Sequence, residues 1–120
     1  MAEHNLLGKK GEEIAERYLI KNGYKILEKN WRYKKLELDV IATFNNLLIA
    51  IEVKTRATNF VENLNEIVTK KKQRFIIDAT NAYIEKYEID MEAQFDIIFI
   101  VINNGKFNLR HIKDAFSTTS

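Results

Sequence analysis

The stretch from Leu36 to Thr55 limits the folds open to this chain more than any other. Two aliphatic and β-branched runs, Leu36–Phe44 and Leu47–Thr55, flank Asn45-Asn46, and Asn tolerates the positive φ that a two-residue hairpin turn requires. With those two residues as the loop, Phe44 faces Leu47, Ile41 faces Ala50, Asp39 faces Glu52 and Glu37 faces Lys54. One face of the ribbon then carries Leu36, Leu38, Val40, Ala42, Phe44, Leu47, Ile49, Ile51 and Val53, all apolar. A one-residue slip would turn that whole set outward, so the register is strongly fixed. The other face begins apolar, with Ile41 and Ala50, and ends charged, with Glu37, Asp39, Glu52 and Lys54.

The remaining elements follow from periodicity. Leu7, Gly11, Ile14, Ala15, Tyr18 and Leu19 recur at helical spacing, and Gly23 suits a left-handed cap behind them. Gly8 and Gly11, three apart, suggest a close backbone approach. Tyr24 to Arg32 reads as a first strand. After a polar connection from Ala57 to Glu66, a second helix runs to about Tyr87, with Val68, Lys72, Phe75, Ile76, Ala79, Ala82 and Tyr83 on its inner stripe. Phe95 to Ile102 is nearly continuous in apolar residues, the pattern of a strand covered on both faces. Asn104-Gly105 turns the chain into a short last strand, Phe107 to Ile112. The order is α-β-β-β-α-β with an extra edge strand: an α/β domain whose mixed central sheet is flanked by helices.

Composition narrows the chemistry. The 120 residues are 46% hydrophobic and 30% charged, a globular balance that reads as one domain, 1–120. There is no Cys, which excludes disulfides, thiolate metal sites and cysteine nucleophiles. No apolar run nears the ~20 residues of a membrane span. Met1 to Lys10 lacks a signal-peptide core, which points to the cytoplasm. The net charge is only +2, yet Lys29, Arg32, Lys34 and Lys35 form one basic cluster and Lys70, Lys71, Lys72 and Arg74 another. Trp31 and Tyr33 interleave with the first cluster, which suits either base stacking or a partly buried strand end. His4 and His111 lack ligand spacing, and Asp96 opens a buried strand, so all three read as structural first.

The opposed acids are the chemical signal. Like charges directly across a ribbon, with Cβ atoms about 4.5–5.5 Å apart, are destabilising. A raised carboxylate pKa is one compensation; a bound divalent cation is the other. Two hard oxygens with room for water suit Mg²⁺ or Mn²⁺. Lys54, two residues beyond Glu52, points the same way. An acid pair with an ammonium can serve phosphodiester hydrolysis. The plain alternative is a solvated charged face.

Taken together, Gly8-x-x-Gly11-Glu12, Asn30-Trp31-Arg32, Glu37 to Ala42, Glu52 to Arg56, Lys72-Gln73, Phe95-Asp96, and His111-Ile112 ahead of Ala115-Phe116 resemble the YraN-like family over nearly the whole chain. That family comprises small bacterial proteins predicted to be endonucleases of the PD-(D/E)xK, restriction-endonuclease-like superfamily. The resemblance implies the α-β-β-β-α-β core. It also implies a divalent-metal-dependent endonuclease acting on nucleic acid, DNA first, with structure rather than sequence selecting the substrate. By position it assigns Asp39 and Glu52 as metal ligands with the Val53 carbonyl as a third. Lys54 is then the catalytic ammonium and Glu12 the first-helix acid. Lys72 and Gln73 lie near the scissile phosphate, and Arg32 and Arg56 grip the backbone. Gln94 stands where relatives carry Arg, and Leu36 where they carry a small residue, with its side chain expected on the apolar face.

Two other readings compete. One is a catalytically inactive nucleic-acid-binding module on the same fold. The other is a protein-interaction domain, such as a homodimer built through the strand edge from Phe107 to Ile112.

Overall fold

The computed structural model describes residues 2–57 and 67–118. The expected connection from Ala57 to Glu66 lies outside the described residues beyond Ala57, as does the side chain of His4. Helix α1 spans Ala2–Lys21, followed by β1 (Lys25–Tyr33), β2 (Leu36–Phe44), β3 (Leu47–Arg56), α2 (Lys70–Lys86), β4 (Glu92–Asn103) and β5 (Lys106–Phe116). The five strands lie in chain order in a single sheet. Every neighbouring pair is antiparallel except β3 and β4, which run parallel. A parallel pair needs a long crossover, and α2 lies within it. The expected order and the extra edge strand are present; β5 is longer than the sequence suggested.

Helix α1 ends as Gly23 implies. Gly23 has φ of 90°, and the Tyr24 N–H reaches back to the Leu19 carbonyl at 3.0 Å, closing a Schellman-type cap. The two faces of the sheet hold separate cores. Leu38, Ile41, Leu48, Ala50, Ile97 and Phe99 pack with Ile76, Ala79 and Tyr83 of α2. Val40, Ala42, Ile49, Ile51, Ile98 and Ile100 pack with Ala15 and Leu19 of α1. Strand β4 supplies both clusters by alternation, which is why its sequence is almost unbroken in apolar residues.

One polar network crosses the α1 side. Asp96, 0% exposed, accepts from Gln94 Nε2 and the Asp114 N–H through Oδ1, at 3.0 Å each. Its Oδ2 lies 2.7 Å from His111 Nε2, and His111 Nδ1 lies 2.8 Å from the Tyr18 hydroxyl. Burial, and then the Asp96 charge, push the Tyr18 phenol above its ordinary value, so the hydroxyl stays protonated. Gln94 thus serves as a donor to Asp96.

The uniform apolar face expected for β2 does not form. Leu38 lies on the α2 face while Val40, two residues on, lies on the α1 face. In β1, likewise, Trp31 packs on the α2 side while Lys29 reaches Glu16 of α1 at 2.9 Å. Both strands rotate at one step: Asn30 has φ of 54°, and the β1–β2 ladder passes from Lys29↔Val40 to Trp31↔Leu38 without pairing Asn30 and Asp39. Leu36, beyond this break, is 45% exposed, so its expected place on the apolar face is corrected.

The two α1 glycines differ. A Cβ on Gly11 would lie 1.9 Å from Thr55 Oγ1, whereas one on Gly8 would meet nothing within 4 Å. Gly11 alone is the close approach, where α1 crosses the end of β3. We therefore expect Gly11→Ala to destabilise the fold by about 1–3 kcal/mol through overpacking. Gly8→Ala should instead stabilise it by up to about 1 kcal/mol through helix propensity. Urea denaturation of the two variants gives opposite signs if this packing is right.

Candidate functional site

The site lies where β2 and β3 part. Their ladder follows the expected register from Phe44↔Leu47 to Val40↔Ile51 and stops there. Asp39 and Glu52 are therefore not a ladder pair, and Glu37 pairs with Arg32 of β1 rather than facing Lys54. The cause is the rotation at Asp39. Its Oδ2 takes the Val53 N–H at 2.8 Å, standing in for a backbone carbonyl, so the side chain reaches across to β3.

The acids meet all the same. Burial first, then the Glu52 charge, push the Asp39 carboxyl up to about 8, and a side-chain hydrogen bond with Glu52 adds to the rise. The Val53 N–H opposes it, and the Glu12 charge reinforces it. Asp39 therefore keeps its proton near neutral pH. Glu52 itself is 4% exposed.

Strand β3 aligns the groups around Glu52. Glu52, Lys54 and Arg56 pair in parallel register with Ile97, Phe99 and Val101, which all face α2, so the three charged residues share that face. Lys54 Nζ lies 3.5 Å from Glu52 Oε2, and Lys72 Nζ, from the first turn of α2, lies 3.9 Å from the same oxygen. Arg56 Nη1 bonds the Thr55 carbonyl at 3.1 Å. Helix α2 is fixed here by its N-cap, Thr69, whose hydroxyl accepts the Lys72 N–H at 3.1 Å.

Glu12 approaches from α1. Burial, and then the Glu37 charge, raise its carboxyl above the ordinary value; Lys29 pulls the other way and Glu52 adds to the rise. Glu12 lines a cleft of ≈ 570 Å³ with Gly8, Lys9, Glu13 and Glu16 of α1, Lys29 and Asn30 of β1 and Glu37 of β2.

Two of the residues anticipated for substrate contact are placed differently from Lys54 and Lys72. Gln73 is buried, and its amide donates to the Val68 carbonyl at 3.0 Å, so it braces the start of α2. Arg32 is exposed and lies on the strand face opposite Trp31 and Tyr33. Among the described residues, no three His, Cys, Asp or Glu side chains are grouped to hold a metal ion. Sequence reasoning missed Phe75 as a neighbour of the site; its place three residues after Lys72 was the available signal.

A mixed five-stranded sheet between two helices, with a coupled carboxyl pair and two lysines where two strands part, defines the class: a small α/β domain with an acid–lysine centre. The chain belongs to the uncharacterised protein family UPF0102, whose profile matches residues 11–100. It is 50% identical to a UPF0102 protein of Christiangramia forsetii, over 97% of this chain and 98% of that one. It is 48% identical to a UPF0102 protein of Phocaeicola vulgatus, over 97% and 96%, and 44% identical to one of Flavobacterium johnsoniae, over 97% and 98%.

The carboxyl pair has a thermodynamic signature. Asp39 titrates at about 8 when folded against an ordinary 3.8, so the native state binds the extra proton between those values. The stability it confers is complete below about pH 4 and is lost as pH rises towards 8. In EDTA, the unfolding free energy of the wild type should fall from pH 5 to pH 8. Asp39→Asn, which keeps an acceptor for Val53, should show a shallower fall; an identical slope would refute the coupling.

Proposed function

We propose that this protein is a divalent-metal-dependent nuclease that hydrolyses phosphodiester bonds in nucleic acid. The observation that carries the reading is the buried Asp39–Glu52 pair, in which one carboxyl stays protonated near neutral pH with two ammonium groups within 4 Å of Glu52 Oε2. A divalent cation that displaced the Asp39 proton would let both carboxyls ionise side by side. Two carboxylate side chains suit Mg²⁺ or Mn²⁺, which keep several waters and take one or two protein carboxylates.

Asp39 and Glu52 would hold the ion, with the Val53 carbonyl beside them and Glu12 reached directly or through water. Bound there, such an ion supplies Lewis-acid polarisation of a phosphoryl oxygen and a water of lowered pKa. Lys54 stabilises negative charge developing on the phosphate. Lys72 neutralises Glu52 in the resting protein and is placed to turn to a phosphate when one enters. Lys70, Lys71 and Arg74 extend the positive surface along α2 without reading bases, so contact to the backbone dominates affinity. Burial of Glu52, and its support by two cations, favour this over a merely solvated charged face.

Asp39→Ala and Lys54→Ala should each lower Mn²⁺-dependent cleavage of a mixed panel of single-stranded, duplex and branched DNA by at least about 100-fold, the scale of losing one electrostatic stabiliser. Circular dichroism should show the fold retained. Wild-type rates in both variants would sink the assignment. Salt-sensitive binding with no hydrolysis under any divalent ion would instead identify a non-catalytic binding module.

A further inference from the structure

Beside the acid–lysine centre lies a row of rings. Trp31 and Tyr33, two apart on β1, have ring planes within 8° of each other and centroids 6.2 Å apart. Tyr33 in turn meets Phe75 of α2 at 6.0 Å. Tyr83 props Trp31 from the core side, edge-on at 86°. Trp31, Tyr33 and Phe75 all remain half-buried.

Two of the three rings carry a cation, Tyr33 in the middle of the row and Phe75 at its α2 end. Lys34 Nζ sits 5.2 Å from the Tyr33 ring centre and Lys72 Nζ 5.4 Å from that of Phe75. Lys72 is the same ammonium that lies 3.9 Å from Glu52 Oε2. One side chain therefore joins the aromatic row to the carboxyl pair. Lys34 occupies the left-handed region at φ of 56°. Turn geometry alone favours Gly, which has no Cβ, or Asn, whose short side chain hydrogen-bonds locally.

Half-open rings with ammonium groups beside Tyr33 and Phe75 match the chemistry of unpaired nucleotides: base faces stack on rings and phosphates meet cations. A duplex hides its base faces and offers nothing to stack. We propose that Trp31, Tyr33 and Phe75 form a stacking platform for unpaired bases, with Lys34 and Lys72 holding the flanking phosphates. The strand delivered to Glu52 is then single-stranded. The delivery step rests on the nuclease reading; the platform itself does not.

Trp31 is the chain's single tryptophan, so its fluorescence reports on this row alone. Oligodeoxythymidylate and a blunt DNA duplex are titrated into the protein in EDTA, which prevents hydrolysis. The oligonucleotide should quench Trp31. Phe75→Leu and Tyr33→Leu should each weaken its binding roughly 5- to 100-fold, the equivalent of losing one base–ring stack, and leave duplex affinity within about twofold. Lys34→Ala, at an exposed turn, supports the proposal if it weakens oligonucleotide binding and reduces its salt dependence. That variant decides the matter if a ring variant fails to fold. Binding without quenching, equal affinity in all variants, or no oligonucleotide binding at all would overturn the platform. Quenching intact in a wild-type protein that cleaves nothing with Mn²⁺ would sink the nuclease reading and leave the platform standing.

Discussion

A single backbone N–H, that of Val53, sets the character of this structure. It lies just past the point where β2 and β3 cease to pair, and a buried donor without a partner costs about 1–3 kcal/mol. The Asp39 carboxyl satisfies it at 2.8 Å. An acid is a strong acceptor for that purpose, but reaching Val53 also brings it against Glu52. The same bond that completes the sheet therefore creates the electrostatic deficit at its centre. An Asn would satisfy the donor without the conflict, which argues that the charge has a use of its own.

The two helices bring their contributions by different physical means. Helix α1 relies on the missing side chain of Gly11, which lets the helix settle on Thr55 and sets Glu12 beside the carboxyl pair. Helix α2 relies on polar fixation: Thr69 caps it, Gln73 ties it to Val68, and Lys72 projects from the turn so anchored. Three consecutive lysines in that first turn, with no acid among them, oppose the helix dipole. Counter-charge from Glu52 offsets part of that cost.

Much of the fold was legible because its signals are local. The Asn45-Asn46 turn fixed the β2–β3 register, Gly23 marked the end of α1, and the apolar run of β4 announced burial on both faces. The site residues Asp39, Glu52, Lys54 and Lys72 were legible by spacing and resemblance, and they do converge. What escaped the sequence depends on backbone rotation or on distant partners. Strict alternation placed Leu36 and Leu38 with Val40, and nothing local in β2 signals the turn that Asn30 takes across from Asp39. Gln73 was placed near the substrate by resemblance; its engagement with Val68 is visible only once α2 is built. Tyr18 and His111 are 93 positions apart, beyond any periodicity.

That last pair belongs to a network with a consequence for how the chain matures. The fully enclosed Asp96 draws its donors from β4 itself and from β5, and through His111 it is linked to α1. A carboxylate enclosed without those donors is severely destabilising. A chain still waiting for β5 thus has reason to keep β4 wet and α1 loosely docked. The last hairpin therefore carries more than an edge strand: it supplies the donors that make the enclosure of Asp96 tolerable.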